Sequence, residues 1–278
     1  MRSFQDINPL REYLLAIQNQ NRTIALVPTM GALHKGHESL IKHAKDLADD
    51  VVVSIFLNPI QFAPHEDFQT YPRSIQTDHD ICESLGVNAL FMPSEAIIYP
   101  PNGLLTQVSV PSLSHLYCGQ SRPQFFSGVT NVVIRLLNIV CPDHAIFGEK
   151  DYQQFVIIKT CVQNLFLPIH IHCSSIIRDS HGLALSSRNH YLSDHEKQQA
   201  SSIYKSLCLA KEAVSEGMVH PSALDTLIQE SLDPSITLDY IAYVDTDTLL
   251  PAQDVKPGHR ILFAGVLNKT RLIDTIHL

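Results

Sequence analysis

Two histidines, His34 and His37, stand three residues apart at the end of a glycine-punctuated turn, Met30-Gly31-Ala32-Leu33, and a helix-like run follows from Glu38. Side chains at i and i+3 share one helix face, so both imidazoles can address one ligand. The apolar stretch Ile24–Pro28 precedes the turn. Strand, glycine turn and helix together hold phosphate well, because the first helical N–H groups lack partners within the helix and the dipole is positive there. The same dipole disfavours imidazolium, so neutral rings donating one N–H each are expected before an anion arrives. A metal site would need a third ligand and commonly the H-E-x-x-H spacing, neither of which is nearby. Two solvated histidines on a polar first turn are the plain alternative, and the glycine turn weighs against it.

Three further segments carry candidate chemistry. Asn58-Pro59-Ile60-Gln61-Phe62 offers two neutral amides that can read hydroxyls and a carboxylate without adding charge, although taken in isolation a proline turn with surface amides is the better reading. In Phe147-Gly148-Glu149-Lys150-Asp151-Tyr152-Gln153-Gln154, Gly148 permits close backbone approach and Lys150 offers a mobile point charge for phosphate. Asp151 there suits ribose hydroxyls, or simply caps a solvated helix. Ser186-Ser187-Arg188-Asn189 suits a polyanion or an interdomain loop; without a G-x-S-x-G elbow or an evident base, a covalent serine is disfavoured. Asp78, in a weaker set with Tyr71-Pro72-Arg73, is a thin case for a Mg²⁺ ligand and equally an ordinary surface-helix acid.

These segments need a frame. Strand-like runs at 24–28, 51–57, 89–92, 144–147 and 168–173 are nearly continuous in Val, Ile, Leu and Phe, as expected of parallel strands covered on both faces. Helical patterns at 9–20, 38–48, 74–85, 128–140 and 152–165 interleave with them. This alternation predicts an α/β fold with a Rossmann-like parallel sheet and helices on both faces. The candidate residues mostly follow strands, where such sheets bind ligands. After residue 175 the character changes. Ser193-Asp194-His195-Glu196 is a capping-box pattern opening a helix to about residue 216, and a shorter helix starts near Ser222. Strand patterns then lie at 238–245, 260–267 and 270–276, the last two joined by the hairpin signal Asn268-Lys269. The expected division is a first domain over 1–175 and a smaller C-terminal α+β domain over 176–278. Residues 93–111 read as a mixed loop.

The chain of 278 residues is 45% apolar and 17% charged, with a formal charge of −8, so bulk charge points to neither nucleic acid nor an anionic membrane. The first residues lack a signal-peptide core and no stretch has the length of a membrane span. Six scattered cysteines without a C-x-x-C pair argue for reduced thiols in a cytoplasmic protein.

The stretches Pro28–His37, Phe56–Phe62 with Glu66–Arg73, Gly128–Gln154 and Arg178–Leu192 occur in an order and at separations that resemble the pantothenate synthetase (pantoate–β-alanine ligase) family, of the HIGH-motif nucleotidylyl-transferase superfamily. The last third resembles it only in general character. The resemblance implies an AMP-forming carbon–nitrogen ligase of pantothenate biosynthesis. It would join (R)-pantoate and β-alanine at the expense of ATP, with Mg²⁺, through a pantoyl adenylate. It further implies that Met30, Gly31, Ala32, Leu33, His34, Lys35, Gly36 and His37 line the ATP site, and that His37 assists the departing phosphates. His34, Lys150, Ser186, Ser187 and Arg188 would hold phosphates. Gly148 and Asp151 would bind the ribose, the backbone near Ile177 would lie close to the adenine, and Glu149 and Leu185 would also belong to the ATP site. Gln61, Gln154, Asn58 and Met30 would bind pantoate. Ligands for Mg²⁺ are unassigned. A homodimer is implied, with residues 1–175 binding ATP and pantoate and the rest forming a lid. Three positions depart from the family pattern: Gln124-Phe125 in place of a Gly-His pair, Asn131 in place of threonine, and Leu185 in place of methionine. Phe125 removes the donor of an imidazole. Two other functions compete: a nucleotidylyl transferase that stops at a nucleotide-linked product, and a non-catalytic ATP- or metabolite-binding protein.

Overall fold

The apolar runs of the first part form one parallel sheet. The computed structural model describes residues 1–64, 66–99 and 106–278. Its strands β1 (Arg2–Phe4), β2 (Ile24–Thr29), β3 (Asp50–Ile55), β4 (Ala89–Phe91), β5 (His144–Gly148) and β6 (His170–Ser174) pair in the order β1-β4-β3-β2-β5-β6. The helices accompanying them are α1 (Ile7–Gln18), α2 (Lys35–Leu47), α3 (Ile75–Ser84), α4 (Glu95–Ile98), α5 (Pro111–Ser114), α6 (Cys118–Ser121), α7 (Phe125–Val140) and α8 (Tyr152–Asn164). The short edge strand β1 pairs Arg2 with Ala89 and is absent from the sequence expectation, because three residues carry no period. Within the stretch expected to be loop, residues 95–98 are helical, a second short helix starts at its last residue, Pro111, and residues 100–105 lie outside the described residues.

Strand order places β3 on one side of β2 and β5 on the other, which makes the β2/β5 boundary the topological switch point where such sheets take ligands. Pro28 explains why the sheet opens there. The Ile24 carbonyl accepts from Asp143 N at 2.9 Å, so even-numbered residues of β2 face β5. Pro28 therefore faces β5 with no N–H to donate, and β2–β5 pairing has already stopped at Leu26↔Ala145. Pairing with β3 runs on to Thr29↔Ile55. Helix α7 is apolar nearly all round and buried over most of its length, as a central helix must be.

The chain divides into two units, residues 1–148 with 157–174, and residues 149–156 with 175–278. The turn at 149–151 and the start of α8 thus belong with the second unit. There α9 (Asp194–Ser215) and α10 (Pro221–Ser231) pack on an antiparallel sheet of β7 (Ile236–Asp245), β8 (His259–Leu267) and β9 (Thr270–His277). Ile203, Leu207, Leu224 and Ile228 meet Ile261, Phe263 and Leu272 in its core. The Ser193–Glu196 capping box is formed, with Ser193 N donating to Glu196 Oε2 at 2.7 Å. The β8–β9 turn uses Asn268 at φ +54°, a left-handed position asparagine tolerates.

On the first unit four imidazoles gather. His144 Nδ1 and His172 Nε2 are 3.0 Å apart, His170 stacks on His144, and His43 of α2 meets His172 edge-on and Ser174 Oγ at 2.6 Å. Burial, reinforced by the neighbouring histidines, lowers the pKa of His144 and His172, with Asp143 opposing at His144. A folded value below the unfolded one stabilises the fold above the unfolded pKa of about 6.5, and that stability is lost as pH falls through the folded values. Thermal melts between about pH 8 and about pH 5.5, above the carboxylate range, should show this decline. Replacing both His144 and His172 by Gln should flatten it, and an unchanged slope would remove the pair from this role.

Candidate active site

In the first unit the site is built on the turn after β2. Gly31 at φ +84° and Ala32 at φ +51° are both left-handed, which is costly for alanine. Asp78, almost fully buried on α3, holds the turn: Oδ2 accepts from Ala32 N at 2.9 Å and Oδ1 from Leu33 N at 2.8 Å. Ser74 Oγ donates to Oδ1 at 3.2 Å. The carboxylate is spent on the backbone, so Asp78 is neither a surface acid nor a Mg²⁺ ligand. The turn delivers His34 as N-cap of α2 and His37 as its third residue. Gly36 N donates to His34 Nδ1 at 3.1 Å, and His34 N donates to His37 Nδ1 at 3.3 Å, a reciprocal capping box made of two imidazoles. The rings lie 4.1 Å apart at 41°. An Nδ1 that accepts carries no proton, so in both neutral rings the proton sits on Nε2.

The second group follows β3. Asn58 is buried with its amide fully engaged: Nδ2 donates to Gln61 Oε1 at 3.0 Å and to the Gly128 carbonyl at 3.1 Å, while Oδ1 accepts from Tyr99 Oη at 2.6 Å. Asn58 therefore positions Gln61 rather than offering its own amide to a substrate. Gln61 Nε2 donates to Met30 Sδ at 3.0 Å, which joins this group to the turn after β2, and the Gln61 amide keeps one more donor and acceptor valence. A Cβ on Gly128 would come within 2.8 Å of Gln61 N and Cα, so only glycine lets α7 lie against this turn. Arg122 grips Glu66 with two bonds of 2.6 Å, reaches the Gln61 carbonyl at 3.3 Å, and lies 3.8 Å over the Phe125 ring.

In the second unit the Glu149–Asp151 turn packs on β9. Glu149 is corrected from ligand contact to anchor: Oε1 pairs with Arg260 at 2.9 Å and Oε2 accepts from Ile176 N at 3.3 Å. Arg260 also lies 3.8 Å over Tyr152, whose hydroxyl donates to the Thr246 carbonyl at 3.0 Å. Lys150 Nζ stands 3.7 Å from Asp151. Gln154 is half-buried in the first turn of α8. Leu185 N donates to the Ile177 carbonyl at 2.9 Å, so a short hairpin places these two residues side by side. It leads straight into Ser186–Arg188, where Ser186 Oγ accepts from Arg188 N at 3.3 Å. Gly148 closes β5 in the first unit, and a Cβ there would meet no protein atom within 4 Å.

The fold thus joins Met30–His37 to Asn58 and Gln61 in one unit, and carries Lys150, Asp151, Gln154, Ile177 and Leu185–Arg188 in the other. The supporting residues Tyr99, Arg122 and Arg260 have no local signature, and the backbone-holding role of Asp78 has almost none. Only Ser74 four residues before Asp78 hints at one. Among the described residues no group of three or more His, Cys, Asp or Glu side chains could hold a metal ion. None of their helices is long and apolar enough to cross a membrane.

A parallel sheet open at its switch point, with a histidine-capped helix and glycine turn on that edge, defines a nucleotide-binding α/β architecture. The chain belongs to the pantoate-beta-alanine ligase family, whose model matches residues 2–277. It is 40% identical over 280 residues to pantothenate synthetase of Moorella thermoacetica, covering 100% of this chain and 99% of that one. It is 43% identical to the bifunctional pantoate ligase/cytidylate kinase of Trichodesmium erythraeum, covering all of this chain but only 56% of that longer protein. The crystal structure of pantothenate synthetase from Thermus thermophilus superposes with TM-score 0.94 at 37% identity, over 100% of this chain and 99% of that one. The pantoate-beta-alanine ligase of Francisella tularensis, complexed with beta-gamma ATP and beta-alanine, matches with TM-score 0.82 at 36% identity, over 100% and 97%.

Proposed function

We propose that this chain condenses pantoate and β-alanine to pantothenate in two steps, with ATP as co-substrate. The observation that carries the proposal is the family match over residues 2–277, met by a histidine-capped phosphate turn at the switch point. A carboxylate is a poor electrophile. In the first step a pantoate oxygen attacks the α-phosphorus of ATP, the bond to the bridging oxygen breaks, and pyrophosphate leaves. In the second the β-alanine amine attacks the acyl carbon of pantoyl adenylate, AMP leaves with the bonding pair, and the amine loses a proton. The substrate supplies the nucleophile, so catalysis rests on positioning and charge stabilisation.

The Nε2–H groups of His34 and His37 face that task, with Lys150, Ser186, Ser187 and Arg188 as further phosphate donors. Met30–His37 and the backbone at Glu149 line the nucleotide. Gly148 and Asp151 hold the ribose; the space where a Gly148 Cβ would point supports close ligand approach. The paired Ile177 and Leu185 flank the adenine. Gln61, set by Asn58 and touching Met30, grips pantoate with Gln154. Mg²⁺ fits as an ion carried on the ATP phosphates, since such ions are commonly held by substrate oxygens and water. A cytoplasmic homodimer, with residues 1–175 binding the substrates and the remainder as a lid, belongs to the same proposal.

The test supplies ATP, Mg²⁺, pantoate and β-alanine and follows AMP. AMP formation that proceeds equally fast without pantoate or without β-alanine would overturn the reading. Gln154→Ala should raise the pantoate KM by roughly tenfold to a hundredfold, the worth of one hydrogen bond to a charged group, with the ATP KM little changed. An unaltered pantoate KM removes Gln154 from the acid site.

A further inference from the structure

We propose that Asp274 is a positioning residue for the phosphate-holding segment Ser186–Arg188, acting through Arg178. The inference rests on the role assigned to that segment above. Asp274 lies in β9 opposite Phe263 of β8 and is 4% exposed. Its two oxygens accept from Arg178, Nη1 to Oδ2 at 2.6 Å and Nη2 to Oδ1 at 2.9 Å, while Thr275 N donates to Oδ1 at 2.7 Å. Arg178 is held from two further sides. Its Nη1 donates to the Gly182 carbonyl at 3.1 Å, and its guanidinium lies 3.6 Å over the Tyr204 ring of α9.

The backbone of Arg178 is the base of the hairpin that presents the phosphate segment. Arg178 bridges Ala184, Asp179 N donates to the Leu183 carbonyl at 2.9 Å, and Leu185 N returns to Ile177. Ser186 follows immediately, and Asn189 Nδ2 donates back to the Ala184 carbonyl at 3.1 Å. The hairpin tip at Ser180 and His181 is exposed, and Leu183 and Ala184 are its buried apolar side chains. Burial of two apolar side chains holds the hairpin on the unit without fixing its direction. A planar two-pronged pair does fix direction, because both prongs are satisfied in one orientation only. A buried ion pair adds little net stability over an apolar pair, so orientation is its better physical use.

The same carboxylate also feels Lys150. Burial raises the Asp274 pKa, while Arg178, the Thr275 N–H and Lys150 oppose it. Asp274 therefore sits within electrostatic reach of both candidate phosphate-binding arms of this unit, the Lys150 turn and, through Arg178, the Ser186–Arg188 segment.

The experiment compares full-length wild type, Asp274→Asn and Arg178→Lys. ATP affinity is measured by calorimetry, and ATP and pantoate KM by steady-state assay, both corrected for folded fraction. Asp274→Asn leaves the Arg178 fork without its ionic partner. Arg178→Lys keeps the charge but not the fork. The expected result is an ATP Kd and KM raised about tenfold in Asp274→Asn, a smaller rise in Arg178→Lys, and a pantoate KM within about twofold of wild type in both. Variants that melt earlier yet bind ATP as wild type does would overturn the proposal, as would an equal rise in both KM values. If Asp274→Asn does not fold, Arg178→Lys decides by the same criteria. Wild type that binds no ATP would instead sink the functional reading, and this proposal with it.

Discussion

Asp78→Asn should lower kcat by roughly a hundredfold, the scale of the loss when reacting groups are misplaced by about 1 Å, while the protein still folds. Asp78 touches no candidate ligand-binding side chain directly. Its oxygens accept from Ala32 N and Leu33 N, one each, and hold two consecutive left-handed residues. Asparagine keeps one acceptor and turns an NH₂ toward the other N–H, so one buried backbone donor faces a donor. Losing a bond to a charged acceptor and leaving its partner unsatisfied costs about 1.5–3 kcal/mol. Left-handed Ala32 stores about 1–2 kcal/mol of strain that the carboxylate offsets. The turn is then free to relax toward ordinary backbone angles. His34 and His37 follow it directly, and their capping bonds depend on that backbone. The check is thermal melting beside steady-state kinetics. A variant that loses stability yet keeps kcat within about threefold of wild type would show the turn to be held by other means.

The contrast between this turn and its support explains what the chain alone could reveal. Ile24–Pro28, the glycine turn and the helix after His34 are local: an apolar run, two glycines and an N-terminal polar turn appear in adjacent residues. The parallel character of the sheet was readable for the same reason, since nearly continuous Val and Ile runs alternate with helical periods. Asp78 was not readable in its role. Its partners lie some 45 residues earlier in the chain, and an acid in the first turn of α3 looks like any solvated helix start. Asn58 is the opposite case: the resemblance makes it a substrate contact, whereas Tyr99, 41 residues away, donates to its side-chain oxygen and holds the amide within the fold. Glu149 entered the ATP site only through the resemblance; the partner of its carboxylate, Arg260, comes from β8. Against the resemblance, Phe125 reads as a lost donor. The structure gives the ring a use that needs no donor, as the face beneath Arg122, which in turn fixes Glu66 and the Gln61 carbonyl. In each case pairwise chemistry was plain from residue type, but pairing across distant segments was decided by the fold.

His37→Asn should separate the two duties of that ring. The Nδ1 of His37 accepts from His34 N, and an asparagine Oδ1 occupies nearly the same place, so the cap of α2 survives. The outer Nε2–H is lost, together with the ring face that lies 4.1 Å from His34. Folding stability is therefore expected to stay within about 1 kcal/mol of wild type, the scale of a cap substitution. If His37 acts on charge that builds as pyrophosphate departs, kcat falls by roughly a hundred- to a thousandfold, the usual loss for one preorganised donor. ATP KM should change little, since the ground-state phosphates keep Lys150, Arg188 and the serines. An equal loss in affinity and turnover would reduce His37 to a binding residue. The pH profile then distinguishes its two modes of action. A ring that hands a proton to the leaving pyrophosphate contributes a titrating limb to kcat, and the asparagine variant should lose that limb along with its rate. A ring that only donates a hydrogen bond leaves the shape of the profile intact and lowers it throughout. The capping geometry favours the second outcome. With Nδ1 committed to the His34 N–H, imidazolium would need a new proton on the nitrogen that now accepts, breaking the cap; a neutral Nε2–H donor stabilises departing charge with the helix start unchanged.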